Sequence, residues 1–317
     1  MGLTEMKKGV NRVCLAVVIF ILLLTSLQSG VTFLSEGVGK LIFANDDGVE
    51  MAESLLLTVS YVVCYLVTIL IFRAAYRSFY IPMSVEGHMN VHHIPLVFSA
   101  LGVCILASHF VNYFRFWDGG DMEVYHGESI VLLMLSTVLV PAFCEELFFR
   151  GLIMTNLMPF GRNFAIISSA VIFGLVHGNH DQILFATISG LALGWLYAET
   201  GNLWCGVIVH MLNNFISVVE MILWSNLKTG TAIKLAGVIE VFILVIAVIS
   251  LVYSIGFVTR EKKRQASSGL FAHTSKKLLD GGNRFTFKEY VKGFFSPAMI
   301  IFLCYVLLSE ILYVFLY

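Results

Sequence analysis

The 317-residue chain is 58% hydrophobic and only 13% charged, with a net charge of -1 and a mean hydropathy of +0.86, against roughly 25% charged residues in an ordinary soluble domain. This balance excludes a soluble globular domain and offers no basic surface for nucleic acid. It reads as an all-α, polytopic transmembrane bundle whose first partner is the lipid bilayer.

The six cysteines, Cys14, Cys64, Cys104, Cys144, Cys205 and Cys304, fall one to an apolar segment with no CxxC pair. That argues against a disulfide framework or a cysteine-ligated zinc. The first apolar run, about 13–34, follows Lys7, Lys8 and Arg12. It is too long for a secretory signal and no small-residue cleavage site closes it, so it is expected to stay as the first span. Further apolar segments are predicted at about 55–72, 94–114, 129–157, 164–177, 183–197, 203–224, 233–257 and 297–317. The fifth and sixth are short for a hydrocarbon core about 30 Å thick.

Loop charges give an orientation. Lys7, Lys8 and Arg12 precede the first span, and the next loop carries Asp46, Asp47, Glu50 and Glu53. Arg73 and Arg77 follow the second span, and the third loop is again acidic, with Asp118, Asp121 and Glu123. Nine basic residues from Arg260 to Lys292 lie between the last two segments. The positive-inside rule therefore places the N-terminus, the second loop and the 258–296 segment on the cytoplasmic side. Nine crossings satisfy the alternation, and eight result if one short central segment is re-entrant. The 258–296 stretch reads as a solvated cytoplasmic loop, with an anionic-lipid or partner-binding patch as the alternative. Three regions follow: 1–128 with about three spans, 129–224 with the polar intramembrane residues, and 225–317 with the C-terminal helices and the basic loop.

Charge inside the fourth segment is costly and usually lines a water-filled cavity or is paired, so Glu145, Glu146 and Arg150 mark a candidate site. On a helix, residues four apart share a face and neighbours lie about 100° apart, so Glu146 can meet Arg150 while Glu145 points to another wall. Glu146 and Arg150 then form a structural ion pair. Glu145, without that partner and partly desolvated, is the acid suited to take a proton from water. Pro141 removes a backbone donor just before the acids, and a kink there is expected to open space for water.

Phe173-Gly174-Leu175-Val176-His177 and His210-Met211-Leu212-Asn213-Asn214 supply the other polar groups. His210 and Asn214 share a helix face and can aim at one point, an arrangement for an oxyanion or a metal, or simply for bonding a neighbouring helix. Asn179, His180 and Asp181 read as a loop, and His88, His92 and His93 as an interfacial cluster. His109 reads as a satisfied buried group. Gly190 and Gly194, in GxxxG spacing, read as a close helix contact.

Taken together, Glu145-Glu146-x-x-x-Arg150, Phe173-x-x-x-His177 and His210-x-x-x-Asn214 resemble, in order and spacing, the three signature motifs of the CPBP family. These are the CAAX proteases and bacteriocin-processing enzymes, also called the Abi family. Gly151, Gly174 and the 197–203 stretch YAETGNL fit the surroundings, and the resemblance covers about 129–217, under a third of the chain. It identifies 129–224 as the catalytic core of a bundle of eight to nine spans with a polar, water-accessible intramembrane cavity. It implies an intramembrane endopeptidase acting on a membrane-associated peptide or protein.

Carried over from the family, Glu145 activates the attacking water with His177, His210 and Asn214 stabilise the tetrahedral oxyanion, and Glu146 and Arg150 support the site. No cofactor is favoured, because the chain lacks HExxH. A Zn2+-dependent version would use Glu145, His177 and His210 as ligands with water in the fourth position. In bacterial relatives the implied roles are peptide maturation and bacteriocin processing or immunity. In eukaryotic relatives it is removal of the last three residues of prenylated proteins. The motif surroundings point to a multi-pass protein of a bacterial cytoplasmic membrane with its N-terminus cytoplasmic. A transporter or channel using the acids as an ion site, and a non-catalytic membrane scaffold, are the competing readings.

A strict count of spans raises a conflict. It puts Glu145 near the cytoplasmic end of its helix and His177 at the opposite end of the next. About 14 residues of helix rise roughly 21 Å, so on straight helices the two could not meet. Continuing the fourth helix to about Leu157 places Glu145 at mid-depth, and is preferred because no strong breaker lies between Gly151 and Pro159. A tilted or re-entrant segment ending at His177 is the alternative.

Overall fold

The computed structural model describes residues 2–35, 46–77, 89–118, 129–268 and 285–316. Among them every predicted apolar segment falls on a helix and no strand forms. The helices are α1 (Leu3–Leu34), α2 (Asp46–Ala75), α3 (His93–Asp118), α4 (Ile130–Phe160), α5 (Arg162–Val176), α6 (His180–Thr200), α7 (Leu203–Asn226), α8 (Thr229–Ser268), α9 (Phe287–Phe294) and α10 (Pro297–Leu316).

Among the described residues, seven helices are long and apolar enough to cross a bilayer, and eight if α9 and α10, bent by 67°, form one broken span. Of the expected eight to nine spans, eight is met when the bent pair counts as one, and the ninth is lost at the fifth segment. With 15 residues, α5 rises only about 22 Å and falls short of the hydrocarbon core. The sixth segment, also read as short, becomes the 21-residue α6.

A bilayer-spanning helix satisfies its own backbone and needs only apolar side chains outward. The outer face of α8 meets that demand, with Val238, Val241, Phe242, Val245, Val248, Ile249 and Val252 all exposed. Inside, one apolar cluster joins α1, α2, α4, α5 and α10, and a second joins α3 to α6 and α7. Helices α6 and α7 contribute to both, so their polar side chains sit at the junction.

Of the two ways out of the conflict, the continuous fourth helix is the one observed: α4 runs from Ile130 to Phe160, with Glu145 midway between its ends. Its winding is uneven. Wider π-helical turns at Met134–Leu139 and Leu147–Met154 flank the α-helical stretch Val140–Glu146 that carries the acids. Such turns interrupt the ordinary ladder and recur at functional sites.

Helices α5 and α6 form a tight hairpin. Gly178 turns it at a φ of +71°, a conformation that favours glycine, and Asn179 caps α6 by accepting from the Gln182 amide at 2.8 Å. The loop read over 179–181 is thus corrected: helix begins at His180. At the other end Arg162 Nη2 donates to Glu199 Oε1 at 2.6 Å, tying the start of α5 to the last turn of α6. The glycines read as a close contact face α5, where a Cβ on Gly190 would stand 3.1 Å from the Ala170 Cα and one on Gly194 3.3 Å from Ile166.

The basic stretch also departs from a plain solvated loop. Helix α8 runs on to Ser268, and α9 is a short amphipathic helix opened by a capping box between Thr286 and Glu289. The Tyr290 hydroxyl of α9 donates to Phe160 O at 3.1 Å, and its ring stacks on Phe164. The intervening part of the basic loop, 269–284, together with His88, Asp121 and Glu123, lies outside the described residues.

Candidate active site

The centre of the site is a buried ion pair. Arg150 Nη1 donates to Glu146 Oε1 at 2.9 Å, with Glu146 at 0% and Arg150 at 1% exposure. Two unpaired charges here would each cost about 2.5–3.5 kcal/mol on an insertion scale, and the arginine is held by both of its terminal nitrogens and by a ring face. Its Nη2 donates to Gly190 O at 3.2 Å, and its guanidinium lies 4.6 Å from the centre of the Phe173 ring. Gly206 of α7 approaches from the far side, where a Cβ would stand 2.8 Å from Glu146 Oε2.

His210 joins the pair from α7. Its Nδ1 lies 3.1 Å from Glu146 Oε1, and a carboxylate only accepts, so Nδ1 carries the hydrogen. This fixes the ring and turns Nε2 toward Glu145, 3.7 Å from Oε2. The adjacent acids thus flank the two edges of one imidazole, with Glu146 bonded behind it and Glu145 facing it in front without a bond.

Arg150 pairs with Glu146 and not with Glu145, as the spacing predicts, but Glu145 has a partner that the spacing does not show. The Tyr61 hydroxyl of α2 donates to Glu145 Oε1, and Tyr65 Oη lies 3.3 Å from Tyr61 Oη. Glu145 Oε2 is buried and, among the described residues, accepts no hydrogen bond. The sequence held one signal for the tyrosines: two phenols four residues apart share one face of an apolar span.

His177 caps the end of α5. Its Nδ1 lies 2.8 Å from Phe173 O, which can only accept, so Nε2 keeps the lone pair. The Phe173 ring stands between His177, 4.9 Å away, and His210, 6.0 Å away. Both imidazoles are therefore neighbours of one aromatic wall, although among the described residues no hydrogen bond joins His177 to Glu145.

Among the described residues no hydrogen bond joins Asn214 to the acids either. Its Nδ2 donates to Thr137 O at 2.8 Å. That carbonyl lies four residues before Pro141, which has no N–H to offer it, so the asparagine supplies a donor where the α4 ladder is broken. Asn213, buried beside it and not singled out from the sequence, donates to Asn214 Oδ1 at 3.4 Å. Asn214→Ala is expected to lower stability by about 1 kcal/mol, and by less when Pro141→Ala has returned a backbone donor. A double-mutant cycle on thermal unfolding measures that coupling.

The zinc-dependent version would need Glu145, His177 and His210 to converge. Among the described residues no group of three or more His, Cys, Asp or Glu side chains is placed to hold a metal ion, so the residues as placed do not form that ligand set. His109, read as a satisfied buried group, has a partner but is not buried: its Nε2 is 3.1 Å from Glu240 Oε1 of α8 and its side chain is 44% exposed. His92 Nδ1 lies 3.3 Å from Tyr253 Oη, and His93 Nδ1 3.8 Å from Cys205 Sγ.

Comparison with known proteins gives a family model that covers this stretch of chain and two relatives. Residues 127–216 match the model of the family described as Type II CAAX prenyl endopeptidase Rce1-like. The chain is 24% identical over 188 residues, 56% of its length and 75% of the relative's, to "Putative membrane peptidase YdiL" of Bacillus subtilis (strain 168). It is 28% identical over 100 residues to "Uncharacterized protein YpbD" of the same organism, covering 30% of this chain and 49% of that one. No solved structure matches the chain.

Proposed function

We propose, from the premise that this chain belongs to the CPBP/CAAX protease family through residues 127–216, that it is an intramembrane endopeptidase of the glutamate type. The observation that carries this reading is the buried pair of acids on α4 that flanks His210, with Glu146 bonded to Nδ1 and Glu145 Oε2 facing Nε2 at 3.7 Å.

In this reading Glu145 Oε2 takes a proton from water oriented with the help of His177 Nε2, and the hydroxide attacks the scissile carbonyl. Negative charge then develops on the carbonyl oxygen. His210 enters this step with a second proton drawn from solvent water before attack and keeps both throughout: Nδ1–H stays anchored on Glu146 and Nε2–H is given to that oxygen, much as a buried acid orients the histidine of a catalytic triad. The Asn214 amide keeps one N–H beyond the one given to Thr137, and adds a second donor. Glu145 finally returns its proton to the leaving amine. One oxyanion donor contributes about 3–4 kcal/mol to such a step.

The substrate class we propose is a prenylated peptide ending in a CAAX-type sequence, which the bilayer itself delivers to a carboxylate at mid-span. From the loop charges we place the N-terminus on the cytoplasmic face. The test is cleavage of a farnesylated CAAX peptide by the purified full chain in liposomes, followed by mass spectrometry. Release of the C-terminal tripeptide is expected, and it is expected to persist after exhaustive chelation with substoichiometric zinc by metal analysis. Loss on chelation with recovery on added zinc would overturn the glutamate-type mechanism. Cation flux through the same liposomes without cleavage in any variant would favour a transporter.

A further inference from the structure

We propose that Tyr61 is a positioning residue for Glu145, held in turn by Tyr65, so that the site is completed by α2 from outside the matched segment. The inference rests on the reading above, that Glu145 activates water.

The direction of the relay follows from the chemistry of its groups. A carboxylate only accepts, so the single hydroxyl hydrogen of Tyr61 goes to Glu145 Oε1. In the contact between the phenols, at 3.3 Å, the hydrogen must then come from Tyr65. The chain of donors runs Tyr65 to Tyr61 to Glu145 and ends on the catalytic carboxylate. Bonds to an ionised acceptor are roughly twice as strong as neutral ones.

The terminal torsion of a glutamate is broad, with no sharp rotamer of its own. A bond to one oxygen removes that freedom. With Oε1 held by Tyr61, Oε2 is the oxygen set 3.7 Å from His210 Nε2, and it accepts from no donor among the described residues. Tyr61 therefore decides which oxygen meets water.

The phenols are themselves fixed. Tyr65 is 2% exposed, its ring 4.2 Å from that of Phe20 on α1 and 5.3 Å from that of Phe148 on α4. The Tyr61 and Tyr65 rings meet edge to face at 4.9 Å. A wall of aromatic rings from α1 and α4 thus backs both hydroxyls and keeps them aimed at the acid.

Infrared spectroscopy of the full chain in detergent tests the contact without turnover. The Glu145 band, identified as the one lost in Glu145→Gln, is expected to shift in Tyr61→Phe and to shift less in Tyr65→Phe. With the farnesylated peptide, Tyr61→Phe is expected to lose about ten- to a hundredfold in kcat through misorientation, with KM changed by less than about twofold because Tyr61 does not bind substrate. A Glu145 band that stays in place, or a loss carried by KM or matched by lowered thermal stability, would overturn the proposal. If the wild-type chain does not cut the peptide, the protease reading fails, while the infrared comparison still decides the role of Tyr61.

Discussion

Glu145→Gln is expected to lower peptide cleavage by about 10²- to 10⁴-fold, the range that a general base contributes, while leaving thermal unfolding near that of the wild type. The amide has the shape of the acid, and its carbonyl oxygen still accepts from Tyr61, so the relay and the aromatic wall around it survive. What disappears is the ability of the second terminal atom to take a proton in front of His210. Stability and chemistry therefore separate at this position. Glu146→Gln should behave in the opposite sense, because Glu146 holds Arg150 and His210 at once and lies at 0% exposure. Its loss is expected first as lowered stability. Cleavage that survives Glu145→Gln and is abolished by Glu146→Gln in a folded protein would invert the two roles.

The sequence disclosed those parts of the fold and site whose causes are local. Glu146 and Arg150 lie one turn apart, so the spacing alone foretells a contact that the structure sets at 2.9 Å. The short α5 was legible from its length, and the hairpin contact from the pair Gly190 and Gly194. The partner of Glu145 was not legible, because Tyr61 stands 84 residues away and only packing of α2 against α4 brings them together. The π-helical turns were hidden for another reason: no residue type in Met134–Leu139 or Leu147–Met154 demands them. Pro141 alone pointed to a broken ladder. Its consequence, the bond from Asn214 to Thr137 O, could have been sought by counting back four residues.

Arg150→Met is expected to lower stability by about 3–5 kcal/mol, because it leaves the Glu146 carboxylate buried without its countercharge. The methionine roughly fills the space under Phe173, so the loss is one of charge more than of volume. Three contacts go together: the bond to Glu146 Oε1, the bond to Gly190 O on α6, and the guanidinium over the Phe173 ring. Removing the negative partner as well separates these effects. In the double variant Glu146→Gln with Arg150→Met no charge is stranded, and buried ion pairs replaced by neutral groups are often tolerated. The double variant is therefore expected to unfold at a higher temperature than Arg150→Met alone. If the two unfold together, the arginine acts through its hold on α6 and not through Glu146. Recovery of stability in the double variant would still leave His210 without the carboxylate that orients it. Its cleavage activity should stay low, and that split between regained stability and lost turnover would assign the ion pair to the orientation of the site.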